Sequence, residues 1–173
     1  MESKLENANM HMRFAVQLYR EQLEGGRYFI HEHPRFATSW QEECIKDLME
    51  VPGVELVHAD QCQLGAEVVA GLHRGQPIKN PTGFLSNAPR VLQQLSKQCR
   101  GRDGFYSRRR GGKHKVCEGR IARDAARYPR ELCKAMIKGM IAEMHNLGIA
   151  RPGEIGLNAV TGDAEDQRPL RGP

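Results

Sequence analysis

The sequence predicts an α/β fold in which a sheet of about three to five strands is layered with flanking helices. Three observations predict it. Apolar residues recur at helical spacing near both ends of the chain, over residues 5–23 and 130–144. Between them lie short runs rich in aromatic and β-branched residues, over 27–31, 54–58 and 82–86. Helical and extended stretches alternate through short connections, which favours a parallel or mixed sheet. A chain of 173 residues has room for one domain with a real core, expected over 1–148. Residues 149–173 carry Pro, Gly, Asp and Arg without periodicity and are expected to form a disordered tail.

Each element has its own warrant. In the first helix Met10, Phe14 and Leu18 recur at i+4 with Ala15 and Tyr19 beside them, and Gly25-Gly26 ends it. Arg27 to His31 is short and continuous, as a buried central strand would be, with Glu32-His33-Pro34 at its carboxyl end. Ser39-x-x-Glu42 has the capping-box form and opens a helix over 40–50, stopped by Pro52-Gly53. Residues 54–58 form a second strand, and 65–81 an excursion or hairpin. Residues 82–86 form a third strand. Asn87 and Pro89 then open a helix that runs to about Gln98. Residues 99–120 form a long basic loop or hairpin. The last helix follows Pro129 and is closed by Gly148.

Charge is unevenly distributed. The chain carries a formal net charge of +5, yet 97–120 alone holds nine basic residues against Asp103 and Glu118. A local excess of that kind suits a polyanion. Arg108, Arg109, Arg110, Lys113 and Lys115, with Phe105 and Tyr106 among them, would pair phosphate contacts with base stacking. The alternative is a solvated loop with no partner. Lys79, Thr82 and Asn87 are further candidates for phosphate or sugar, although Asn87 equally suits a helix cap.

Glu32 and His33 are the candidate catalytic pair. A strand end is where open α/β sheets present ligand-binding groups, and Glu32 could hold an amine or a base edge. A plain salt bridge is the competing role for Glu32. Five cysteines at wide spacing, with no C-x-x-C, exclude a secreted disulfide framework. Cys99, His114 and Cys117, with Cys133, make a loose zinc-ligand set, against which stands the ordinary use of cysteine as a small core residue. No G-x-G-x-x-G, P-loop, G-x-S-x-G or H-E-x-x-H occurs. No signal peptide and no run of 18 apolar residues is present, so no membrane association is expected, and an intracellular setting, nucleus or cytoplasm, is.

Three stretches carry a resemblance. GRYFIHEHPRFATSW (26–40), KNPTGFLSNAP (79–89) and YPRELCKA (128–135), in this order, resemble a domain of copia-type retrotransposon polyproteins. That domain is in turn similar to cytosine-5 DNA methyltransferases, which implies a Rossmann-like sheet and matches Glu32 to the glutamate that holds the target base. Gly83 stands where related polyprotein domains tend to carry Arg. The glycine-rich cofactor loop and the Pro-Cys nucleophile of that family precede the Glu strand, and neither is present here. The resemblance therefore implies the C-terminal half of such a domain, with no catalysis of its own. S-adenosylmethionine is expected only if the missing half is supplied. A sheet cut in this way exposes the edge near Tyr28–Ile30, so self-association is expected as well.

Overall fold

The computed structural model describes residues 2–101, 105, 106 and 112–149. Five α-helices and three strands follow in the order α1 (Glu2–Glu24), β1 (Ile30–Pro34), α2 (Glu43–Met49), β2 (Glu55–Asp60), β3 (Pro81–Ser86), α3 (Pro89–Leu95), α4 (Gly119–Ala125) and α5 (Arg130–Asn146). Short 3-10 turns precede α2 (Thr38–Gln41) and follow β2 (Gln61–Leu64). The α/β reading holds, with three strands. The strand directions differ from the expected parallel or mixed pattern within each pair. The order is β1-β3-β2, and both pairings are antiparallel. Since β1 and β2 each run against β3, they run parallel to one another. The α2 crossover joins them, and β3 is inserted between, as in a split βαβ unit.

This order moves the centre of the sheet. Residues 27–31 do not form a central strand; β1 starts at Ile30 and lies at an edge, while β3 is central. All of β3 beyond Pro81 is buried, despite Thr82, Gly83 and Ser86. The two hydroxyls are satisfied. Thr82 Oγ1 donates to the Asn80 carbonyl and accepts from Gln61 Nε2. Ser86 Oγ donates to the Phe29 carbonyl and accepts from the Ala88 amide. Gly83 lies under Trp40, where an added Cβ would stand 2.7 Å from the indole. Only a glycine fits there without displacing the ring.

Helices cover both faces. Val16 of α1, Ile45 and Leu48 of α2, Trp40, Phe29 and Leu85 form one core cluster. Val91, Leu92 and Leu95 of α3 and Leu132 and Ala135 of α5 pack with Phe84 and Ala59 in the other. The face of α1 that is buried carries Val16, with Met12, Tyr19 and Leu23 half-buried beside it. The expected stripe of Met10, Phe14 and Leu18 is instead exposed. Where α3 crosses α5, Gly139 brings the backbones together: an added Cβ would lie 2.4 Å from Val91 Cα. Glu143 of α5 is buried and accepts from the Arg90 amide in the first turn of α3 at 2.6 Å. A carboxylate from another helix thus satisfies a donor that no side chain of the cap residue Ala88 reaches.

Two expected caps are corrected. Ser39 lies in the 3-10 turn, and Glu42, the residue before α2, makes no side-chain cap bond. Asn87 does not cap α3. Its Oδ1 accepts from the Phe29 amide and its Nδ2 donates to the Arg27 carbonyl, both at 3.0 Å, which fixes the approach to β1. Gly26 (φ 64°) and Gly148 (φ 69°) end α1 and α5 in the left-handed conformation, as the sequence predicts. Among the described residues, no helix is long and apolar enough to cross a membrane. The stretch expected as a tail beyond residue 149 lies outside the described residues, as do Arg108, Arg109 and Arg110.

Candidate functional site

One end of the sheet gathers the polar chemistry. The carboxyl ends of β1 and β2 meet the amino end of β3 there, with Pro34 opposite Thr82 and Asp60 opposite Pro81. The segment after β1, the lead into β3 and residues 113–117 line a cleft of about 740 Å³. Backbone bonds hold these stretches together. The Arg35 amide donates to the Pro81 carbonyl at 3.0 Å, and the Lys115 amide to the Pro77 carbonyl at 2.8 Å. Phe105 and Lys113 form an isolated antiparallel bridge.

The lining is cationic. Arg35, Lys79, Lys113 and Lys115 all line the cleft, and among the described residues no acidic side chain lines it. Asp60 lies close by, its Oδ2 3.9 Å from Lys79 Nζ. Phe36 is 81% exposed, and the Arg35 guanidinium lies 5.5 Å from its ring centroid. An exposed ring beside a guanidinium offers a planar platform next to a phosphate-binding charge. Burial, and then the Arg35 charge, hold the His58 imidazole below its usual pKa.

A second cavity, of about 440 Å³, adjoins the first and shares Pro34, Asn80 and Cys117 with it. Glu32 is its acid. Glu32 Oε2 accepts from the Tyr128 hydroxyl at 3.0 Å, and Oε1 lies 3.5 Å from Gln61 Nε2. Burial, with the Glu32 charge and that hydrogen bond, pushes the Tyr128 phenol up to about 12. Glu32 therefore lies mid-strand in a polar pocket, not beyond the strand end.

His33 does not share that pocket. Neighbouring strand residues point to opposite faces, and His33 stacks on His31 at 5.7 Å and meets Trp40 edge-on at 6.0 Å, on the α1 side. Glu32 and His33 cannot act together on one bound group, so the catalytic pair expected from the sequence is not assembled. His31, not singled out by the sequence, is buried and bonded to the Tyr19 hydroxyl at 3.1 Å. Burial, then the His33 charge, lower it to about 4.

Of the expected nucleic-acid contacts, the cleft brings together Lys79, Lys113 and Lys115. Thr82 is buried beneath it with its hydroxyl already engaged, and Asn87 is taken up by the chain before β1. Arg35 and Phe36 were missed by the sequence reading. Their signal was a basic-aromatic pair directly after the Glu-His-Pro strand end. Gln61 and Tyr128 gave no signal, because only the fold brings them to Glu32.

The cysteine chemistry is also rearranged. Cys62, Cys99 and His114 place one ligand atom each within 4.8 Å of one another. Cys117 is not in this group, and Cys133 is on α5. No metal is expected from the sequence; the alternative set Cys99, His114 and Cys117 differs at one position from the observed group, which has Cys62, fully buried, in place of Cys117. Burial, then the neighbouring Cys99, push the Cys62 thiol up to about 12. All five cysteines are thiols.

Among the described residues, no glycine-rich turn leads from a strand into a helix: β1 runs into Pro34-Arg35-Phe36, β2 into Gln61, and β3 into Asn87. The cradle that a dinucleotide needs at such a turn is not formed by these residues. Comparison with protein-family models, with curated proteins and with solved structures finds no match in any of the three.

Proposed function

We propose that this chain is a nucleic-acid-binding module that takes a single strand along the cleft formed by Arg35, Phe36, Lys79, Lys113 and Lys115. The observation that carries the reading is the cleft's composition: four cations from three separate stretches, no acid among the described lining residues, and an exposed aromatic ring among them. Phosphates on the cations would supply the salt-dependent part of affinity. Phe36 would stack an unpaired base, which a duplex does not offer. The adjoining Glu32 pocket is placed to accept a hydrogen bond from a base amine, with Tyr128 and Gln61 orienting the carboxylate.

The resemblance to a methyltransferase-like domain of retrotransposon polyproteins belongs to the same proposal. It accounts for a nucleic-acid partner and for the match at Glu32. Catalysis is left out of it, because His33 faces away from Glu32 and no described strand-to-helix turn suits S-adenosylmethionine.

Fluorescence anisotropy with a labelled oligonucleotide of about 12 nucleotides tests the reading. Lys113→Glu with Lys115→Glu should lower affinity for single strands by at least about 10-fold. Phe36→Ala should cost about 5–150-fold, the worth of one stacked base. Unchanged binding in both variants, or equal losses on duplex and single strand for Phe36→Ala, would sink the proposal. Isothermal titration with S-adenosylmethionine should give no heat.

A further inference from the structure

The geometry points to a Zn²⁺ site built from Cys62 Sγ, Cys99 Sγ and His114 Nε2, with water as the fourth ligand. It stands independently of the polyanion reading. Three residues that are far apart in sequence meet here: Cys62 in the 3-10 turn after β2, Cys99 beyond α3, and His114 in the stretch 112–118 that leads into α4. Two thiolates and an imidazole form a donor set of the soft and borderline kind that zinc prefers.

Distance supports the assignment. A tetrahedral centre with Zn–S of about 2.3 Å and Zn–N of about 2.0–2.1 Å holds its sulfur and nitrogen about 3.5 Å apart. Cys99 Sγ and His114 Nε2 are 3.5 Å apart. All three ligand atoms fall within 4.8 Å of one another, so small side-chain rotations close the set. The surroundings are already framed. The Tyr106 hydroxyl donates to the Cys62 carbonyl at 2.6 Å, and its ring meets His114 edge-on at 5.8 Å. The Cys99 amide donates to Asp60 Oδ2 at 2.8 Å. Asp60 is buried, and its Oδ1 has no hydrogen-bond partner among the described residues. That oxygen is the acceptor a metal-bound water would use, in the outer-shell role that carboxylates commonly play at zinc.

Loading is proton-coupled. One Zn²⁺ binds two thiolates and neutral His114, both thiol protons pass to solvent, and no electron moves. The two thiolates balance the ion's charge, so the buried centre is neutral at its core.

The test uses the full chain, reduced, stripped with a chelator and titrated with Zn²⁺ against a chromophoric competitor. One Zn²⁺ per chain is expected, and Co²⁺ in its place should show thiolate-to-metal charge-transfer absorption. His114→Gln and Cys99→Ser, both at half-buried positions, should each weaken Zn²⁺ by more than about 100-fold, beyond the effect of an outer-shell change. Cys62→Ser should do the same, and Cys44→Ser should not. Zn²⁺ should raise the melting temperature of the parent and not that of His114→Gln. Absence of stoichiometric Zn²⁺ on the parent chain overturns the assignment. So does retention of Zn²⁺ by His114→Gln and Cys99→Ser, or a requirement for Cys117 in place of Cys62.

Discussion

Glu143→Ala should be among the most damaging single substitutions outside the apolar core. Glu143 Oε1 accepts from the Arg90 amide at 2.6 Å, while Oε2 accepts from Arg90 Nη1 at 3.1 Å and from the Tyr28 hydroxyl at 3.4 Å. The amide bond matters most. It joins a charged acceptor to a donor in the first turn of α3, and such bonds contribute about 1.5–3 kcal/mol. The Arg90 side chain is 38% exposed, so that ion pair is screened and adds about 1 kcal/mol at most. The Tyr28 contact is long and on an exposed side chain, and is neglected. The sum is about 1.5–4 kcal/mol, or about 3–16 °C of melting temperature for a chain of this size. Glu143→Gln keeps an amide oxygen for the Arg90 N–H and should lose about half as much. Calorimetry and urea titration of the parent and both variants measure it. A Glu143→Ala protein melting within about 1 °C of the parent would refute the claim that α5 supplies the missing cap of α3.

Acid sensitivity should track His31. Its folded pKa is lowered from 6.5 to about 4, so between those values the unfolded chain binds the extra proton. The sign follows: this contribution is complete above about pH 6.5 and is lost as pH falls towards 4, up to about 3 kcal/mol. His31→Phe should flatten urea-midpoint profiles across that window; identical slopes in parent and variant would refute it. Metal removal should weaken oligonucleotide binding by at least about 10-fold, because His114 sits between Lys113 and Lys115 and its ligation fixes both. Restoration by Zn²⁺ but not by Mg²⁺ is the expected control, and equal affinities with and without metal would separate the two sites.

The legible parts of this fold were those decided locally. Gly25-Gly26 and Gly148 end helices because left-handed backbone favours glycine, and Pro129 opens α5. β2 and β3 lie within two residues of their expected bounds, since turn residues fence them. The illegible parts were decided by neighbours. Helix α1 carries two apolar stripes of the same period, and periodicity cannot say that Val16, Met12 and Tyr19 go inward while Phe14 stays out. Thr82, Gly83 and Ser86 give no sign that β3 is buried beyond Pro81, yet Gln61, Phe29 and Ala88 satisfy its hydroxyls and Trp40 covers its glycine. Helix α4 was missed inside an Arg-rich stretch with a weak apolar face. The antiparallel order escaped notice because β3 enters between β1 and β2 only after a 20-residue excursion.

The same logic applies to the candidate sites. Lys79, Lys113 and Lys115 were legible as charges, but their convergence with Arg35 required the Lys115–Pro77 and Arg35–Pro81 backbone bonds. Nothing in the sequence singles out Cys62, and it is a core cysteine by burial. Only the fold sets it beside Cys99 and His114.

The salt dependence of oligonucleotide binding tests the central claim most directly. Four cations in register with a single strand give a slope of log affinity against log salt of about −3, an affinity loss of about 50-fold between 50 and 200 mM. Neutralising Lys113 and Lys115 together should bring the slope to about −1.4. A slope near zero for the parent chain, or one that the double neutralisation leaves unchanged, would contradict the account.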